Sequence, residues 1–194
     1  MSLYNQINQT NFRLEIPDGD TTKAFVLNGQ TATLPGISIP ITDSPTGKKG
    51  LGRSQIPGTT FEHEPFMCRF LVDENMTSYL QMYKWMLSIN DYVNHNNTYW
   101  TTKQPEAALL HILDNTKTQI IMTYIMYGAW PQSLSELELN YNEEGDPAIT
   151  CMAIIPFKYF QIEQNGKIIT PESHIEDLNK KNFDAPFGLH PSMR

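Results

Sequence analysis

Residues 120–162 constrain the fold of this chain more than any other stretch. They read IIMTYIMYGAWPQSLSELELNYNEEGDPAITCMAIIPFKYFQI, three strand-like segments separated by Gly128-Ala129-Trp130-Pro131 and by Asn142-Glu143-Glu144-Gly145-Asp146-Pro147. Leu134, Leu137 and Leu139 keep close to a two-residue rhythm with Glu136, Glu138 and Asn140 between or beside them, the pattern of a strand with one wet face. The segment after the acidic turn sets Ile149, Cys151 and Ala153 against Thr150, Met152 and Ile154 and is apolar on both faces. Such a strand needs cover on both sides, from a helix or from another subunit.

The rest of the chain supplies strands to pair with it. Residues 11–16 alternate, with Phe12, Leu14 and Ile16 on one side and Arg13 and Glu15 on the other, the period of a half-buried strand. After a turn at Pro17-Asp18-Gly19-Asp20, residues 23–27 read as a second strand, Asn28-Gly29 as a hairpin turn and residues 31–34 as the returning strand. Pro35-Gly36 breaks this ladder before Ile37, Ile39 and Ile41 resume the rhythm, and residues 60–73 line up Phe66, Cys68, Phe70 and Val72. Asp73-Glu74-Asn75 carries the short polar and acidic side chains that start a helix. The helix over 76–89 presents a stripe of Tyr79, Met82, Tyr83 and Met86, widened by Leu80 and Leu87, with Gln81, Lys84 and Ser88 outward. Residues 91–104 form a polar loop, residues 107–113 and 118–127 a strand pair about a turn at 114–117, and Asn165-Gly166 a last hairpin turn. Together these elements predict a mainly β fold with one central α-helix, an antiparallel barrel or sandwich capped by that helix.

Residues 42–59 do not fit the strand pattern. They are rich in Gly, Pro, Ser and Lys, hold few apolar residues beyond Leu51 and Ile56, and with Lys48, Lys49 and Arg53 are the most basic part of the chain. A loop of this length in a compact domain binds something or is ordered by a partner. At 194 residues the chain suits one domain with extensions. We assign residues 1–10 to an N-terminal arm, 11–164 to the β domain and 165–194 to a C-terminal extension. No apolar run approaches the ~20 residues of a membrane helix, and the N-terminus lacks the features of a signal peptide. A soluble protein made in the cytoplasm is expected.

Charge and motifs exclude several classes. A net charge of −7 opposes a grip on phosphate but not a surface past which DNA slides. Cys68 and Cys151 lie inside apolar segments without ligand partners and read as buried free thiols. The five histidines are scattered; His63, between Glu62 and Glu64, fits an exposed strand edge. Gly50-Leu51-Gly52 does not run from strand into helix as a nucleotide loop does, and no nucleophile–base set or metal-ligand spacing is visible. The expectation is a protein that is not an enzyme and holds no cofactor or metal.

The ordered set of features carries a family resemblance over residues 11–164. It comprises the Asn11-Phe-Arg-Leu-Glu-Ile16 strand, Thr33-Leu-Pro-Gly36, the Gly-rich basic loop, Phe70 to Asp73 entering the helix with Tyr83-Lys-Trp85, then Gly128-Ala-Trp130, Leu137-Glu-Leu139, and a last strand into Phe157-Lys-Tyr-Phe160. In this order the chain resembles the tail tube proteins of contractile-tailed bacteriophages of the T-even type, related in fold to the inner tube proteins of type VI secretion systems. The resemblance implies hexameric rings whose sheets join into one barrel, stacked into a virion tail tube that conducts DNA without binding it specifically, assembled in the host bacterial cytoplasm. It also implies contacts with sheath, baseplate hub and terminator proteins, and assigns residues 42–59 to the neighbouring ring. The C-terminal extension and the short N-terminal arm leave a specialised ring or adaptor as the alternative: a baseplate-proximal initiator, a tail terminator or a hub-associated protein. The inter-ring contact residues expected are Lys48, Lys49, Leu51, Arg53 and Ile56 on one side and Glu143, Glu144 and Asp146 on the other.

Overall fold

The computed structural model describes residues 6–17, 21–46, 48–97, 105–142, 145 and 147–170. The chain runs through β1 (Phe12–Glu15), α1 (Lys23–Leu27), β2 (Gly29–Thr33), β3 (Ile37–Ser38), β4 (Ile41–Thr46), a 3-10 turn (Lys48–Gly50), β5 (Gly52–Pro57), β6 (Glu62–His63) and β7 (Phe66–Leu71). It continues with α2 (Thr77–Ile89), β8 (Asn90–Asp91), β9 (Asn96–Asn97), β10 (Ala107–Leu113), β11 (Ile120–Tyr127), β12 (Ser133–Leu134), β13 (Thr150–Ile155), β14 (Tyr159–Gln164) and β15 (Lys167–Ile168).

Alternation of apolar side chains becomes two antiparallel sheets, one ordered β1-β10-β11-β14-β15 and the other β12-β13-β7-β2. They form a sandwich and, among the described residues, do not close into a barrel. Leu14, Ala108, Leu110, Tyr124 and Met126 of the first sheet meet Phe66, Cys68, Phe70, Cys151, Ala153 and Ile155 of the second in one buried core. In β13 the two apolar faces part company: Cys151, Ala153 and Ile155 are buried, Ile154 is half-buried, and Met152 stays 37% exposed. Residues 6–11 are pinned to the β10–β11 turn, where Asn115 accepts from the Asn8 N–H and Asn11 Nδ2 and donates to the Gln6 carbonyl.

Three sequence expectations about the sandwich and its helices change. Residues 23–27 are the helix α1, not a strand, so the chain has two helices and Asn28-Gly29 is not a hairpin turn. The Val26 N–H donates to the Thr22 carbonyl at 2.9 Å and that of Asn28 to Ala24 at 3.1 Å. Gln81 Oε1 on α2 accepts from the Ala24 and Phe25 N–H groups at 2.9 and 3.2 Å, two of the amides that a helix start leaves without partners. Phe25, fully buried, then sits edge-on to Phe70 with ring centroids 5.0 Å apart.

The buried stripe of α2 is Ser78, Met82 and Trp85, so the expected one is rotated. Trp85 has the larger area to hide, Gln81 is drawn toward α1, and the Ser78 hydroxyl is satisfied by the Leu71 carbonyl and Asp73. Leu80 and Tyr83 are left at the surface. The helix start is as read: the Asp73 carboxylate accepts from the Thr77 and Ser78 N–H groups at 3.0 and 2.8 Å.

The strand expected over 134–139 shrinks to β12, because the three-residue step from Leu134 to Leu137 breaks the period. Leu137 packs on the core, whereas Leu139 is 78% exposed. At the other end Asn165 and Gly166, at φ 52° and 77°, make the expected tight turn. The resulting β15 carries the first sheet past residue 164 into the expected C-terminal extension.

Two outcomes are expected. Gln81→Met keeps the volume but removes the acceptor from two helix-start amides and should cost about 1–3 kcal/mol in urea unfolding; an unchanged midpoint contradicts this anchoring. Asp73, Asp91 and Asp114 all titrate below the usual carboxylate range, held first by the Ser78 N–H, the Asn94 side chain and the Thr116 hydroxyl respectively. Depressed folded values stabilise the protein above about pH 4 and lose that contribution as pH falls through them. The urea midpoint should therefore drop between pH 6 and pH 3, and Asp73→Asn should narrow the drop.

Candidate assembly interface

The expected long loop is a β-hairpin arm. β4 and β5 pair only with each other, in register from Ile41↔Pro57 to Thr46↔Gly52, outside both main sheets. One arm face carries Ile41, Asp43 and Pro45 opposite Pro57, Gln55 and Arg53, and the other Thr42, Ser44 and Thr46 opposite Ile56, Ser54 and Gly52. Prolines at 45 and 57 lack an N–H, which blunts the edges against further strand pairing. The arm therefore offers its faces and tip.

At the tip Lys49 and Gly50 take φ of 63° and 69°, and Leu51 is 88% exposed. Arg53 reaches the Asp43 carboxylate at 3.9 Å, both groups well exposed, so the pair is weak. Of the sequence-predicted contact residues, the structure brings Lys49, Leu51, Arg53 and Ile56 together on the arm. The Lys48 side chain, Glu143, Glu144 and Asp146 lie outside the described residues.

The base of the arm is tied down. The Gly58 N–H donates to the Pro40 carbonyl at 2.7 Å, and a Cβ on Gly58 would sit 2.8 Å from that same oxygen. β3 pairs with β6 through Ile37↔His63. His63 is half-buried, not on an exposed edge: it stacks on Phe157 at 4.3 Å and lies edge-on to Phe160. Phe160 in turn stacks on Tyr124 at 4.5 Å, so an aromatic cluster anchors the arm to the sandwich.

The described residues on either side of the acidic turn, 136–142 and 147–149, lie outside the second sheet. Ser135 still donates its N–H to the Met152 carbonyl at 2.8 Å, after which the chain leaves the sheet and returns at β13. Between the two limbs runs a groove of about 810 Å³ walled by Glu136, Glu138, Leu139, Tyr141, Pro147 and Ile149. From residue 131 to 157 the sequence has five acidic residues and no Lys, Arg or His. The arm from 46 to 56 has three basic residues and no acid.

The opposite flank is open. A cleft of about 1040 Å³ separates the edges of β1 and β2, lined by Arg13, Leu14, Ile16, Val26, Gln30 and Thr31 among others. Leu113 donates to the Asn11 carbonyl, so by the alternation of an antiparallel ladder the backbone groups of Phe12 and Leu14 point away from β10. A further apolar surface, missed in the sequence, lies on the outer side of α2, where Met76, Leu80 and Tyr83 are exposed and the Tyr83 hydroxyl meets that of the exposed Tyr92. Its signal was the i, i+4, i+7 spacing of the first three.

Chemical reactivity is low at the two thiols. Cys68 is pushed up to about 12 by burial and secondarily by Cys151, and Cys151 is raised by burial, which keeps both protonated and unreactive. Among the described residues no three His, Cys, Asp or Glu side chains converge to hold a metal ion.

A sequence profile of the phage tail tube protein family matches residues 3–162. The tail tube terminator protein of Enterobacteria phage T4 is 50% identical over 167 residues, covering 86% of this chain and 94% of that protein. Among solved structures, the tube-terminating cap of the anti-feeding prophage superimposes with a TM-score of 0.61 at 13% identity, over 84% of this chain and 95% of that one. The sheath/tube terminator of the PVC extracellular contractile injection system, in its extended state, gives 0.61 at 12% identity over 84% and 99%. At these identities the two structures speak for the fold alone.

Gly58→Ala should loosen the arm without unfolding the core. The expected signs are an unchanged urea midpoint and severalfold faster tryptic cleavage at Lys48, Lys49 and Arg53. Cleavage at the original rate would rule out the Gly58 clamp.

Proposed function

The chain belongs to the phage tail tube protein family, and from that premise we infer that it forms the ring that terminates the inner tail tube of a contractile phage tail. The observation that carries this reading is the identity to the T4 tail tube terminator, which runs through most of both chains. It puts the specialised ring ahead of the repeating tube ring that was the first expectation from sequence.

In this reading six copies close into a ring, and closure covers the open edges of β1 and β2 that would otherwise invite aggregation. The arm, through Lys48, Lys49, Leu51, Arg53 and Ile56, and the acidic residues Glu143, Glu144 and Asp146 are the candidate contacts to the neighbouring ring of the tail. The net charge of −7 suits a conduit that repels phosphate and lets DNA slide. The ring works in the virion tail, against tube, sheath and other tail proteins, after assembly in the host cytoplasm.

Electron microscopy of the purified protein tests this directly. Single six-fold rings that do not lengthen at high concentration are expected. Tubes of many stacked rings would instead identify a repeating tube subunit, and monomers at every concentration would sink both.

A further inference from the structure

We infer that Asn165-Gly166 is a self-modification site, at which the folded chain loses ammonia in water and the product releases β15 from the first sheet. The sequence has two Asn-Gly pairs, Asn28-Gly29 and Asn165-Gly166, and the fold treats them oppositely.

Asparagine followed by glycine is the context most open to ring closure, because glycine has no Cβ to crowd its own nitrogen. The Gly166 nitrogen gives up its proton to water, attacks Cγ of Asn165 and expels ammonia, leaving a five-membered succinimide. Water then opens either carbonyl of that ring. One opening gives aspartate; the other gives isoaspartate, whose chain runs through Cβ. Water enters and ammonia leaves, with nothing oxidised or reduced.

At Asn165 the fold leaves this path open. Both residues of the pair are exposed, a Cβ on Gly166 would meet nothing within 4 Å, and no hydrogen bond from the Gly166 N–H is found among the described residues. Attack requires rotation about the Asn165 backbone, which the turn resists only through β15. That strand is held by two residue pairs, Glu163↔Ile168 and Gln164↔Lys167, and by the Ile169 N–H on the Ile162 carbonyl. So short a ladder at the end of a sheet opens readily.

The other pair is held on both sides. The Asn28 N–H donates to the Ala24 carbonyl, the Asn28 carbonyl accepts from the Leu71 N–H at 2.9 Å, and Gly29 is paired with Phe70. The peptide unit that must turn for attack is therefore fixed between α1 and β7.

The product changes the sheet. Isoaspartate adds a backbone atom to a two-residue turn whose left-handed geometry, φ 52° and 77°, leaves no place for it. The register of β15 cannot re-form, Ile168 and Ile169 part from their partners, and β14 becomes the end strand.

Peptide mapping of the full-length chain held at pH 8.5 and 37 °C tests the site. The one-dalton mass gain should accumulate about tenfold faster at Asn165 than at Asn28, and in urea, where no fold protects either pair, the two rates should converge. Equal rates in the native chain, a faster gain at Asn28, or a native difference that persists in urea overturns the site. Hydrogen exchange reads the consequence: the Ile169 amide should lose protection in step with conversion. Asn165→Gly keeps a favoured turn pair, removes the reacting amide and should hold Ile169 protected through the same incubation. Converted chains that keep Ile169 protected, or Asn165→Gly chains that lose it equally, overturn the release of β15.

Discussion

The stacking of His63, Phe157, Phe160 and Tyr124 is the contact on which the functional geometry depends. Phe157 lies in the crossover from β13 to β14, Phe160 and Tyr124 face each other across paired strands, and His63 belongs to β6 beneath the arm. Each ring pair of this kind contributes ~0.5–1.5 kcal/mol beyond its buried area. Together they join both sheets and the arm into one body. Without that cluster β3 and β6, paired over two residues each, would have little to hold them, and the arm would leave the sandwich at no defined angle.

The cluster also makes the molecule asymmetric. On its side the sandwich is closed: the crossover and residues 130–135 run beside β13, with the Trp130 N–H on the Pro156 carbonyl and that of Gln132 on Ile154. On the other side β1 and β2 stand apart, each the end strand of its sheet among the described residues. A subunit with one finished flank and one open flank is suited to head-to-tail association, which forms a ring when the rotation closes. The arm and the acidic excursion add a second pair of unlike surfaces, positive on one and negative on the other.

The regular part of the fold was legible from side-chain period. Phe66, Cys68 and Phe70, Leu14, and the turn at Asn165-Gly166 all fall where alternation and turn chemistry place them. The misreadings share one cause, that a residue distant in sequence outweighed a local pattern. Lys23-Ala-Phe-Val-Leu27 has no period of its own strong enough to choose, and Gln81 chose a helix for it. The stripe of α2 turned because Trp85 and Ser78 found interior partners that heptad spacing does not reveal. Gly- and Pro-rich composition concealed the arm, since its strands pair with each other and bury almost nothing, leaving no hydrophobic alternation to read.

The amino-acid sequence by itself determined the antiparallel β class, the position of α2, the family, and the separation of positive charge at 48–53 from negative charge at 136–146. These are local properties, written in period, capping residues and charge order. Tertiary structure alone decided that the basic segment is a rigid-based hairpin, that the residues flanking the acidic turn border a groove, and that β1 and β2 end their sheets on one flank among the described residues. Each of those follows from contacts between residues far apart in the chain, where packing and backbone pairing override what neighbours in sequence prefer.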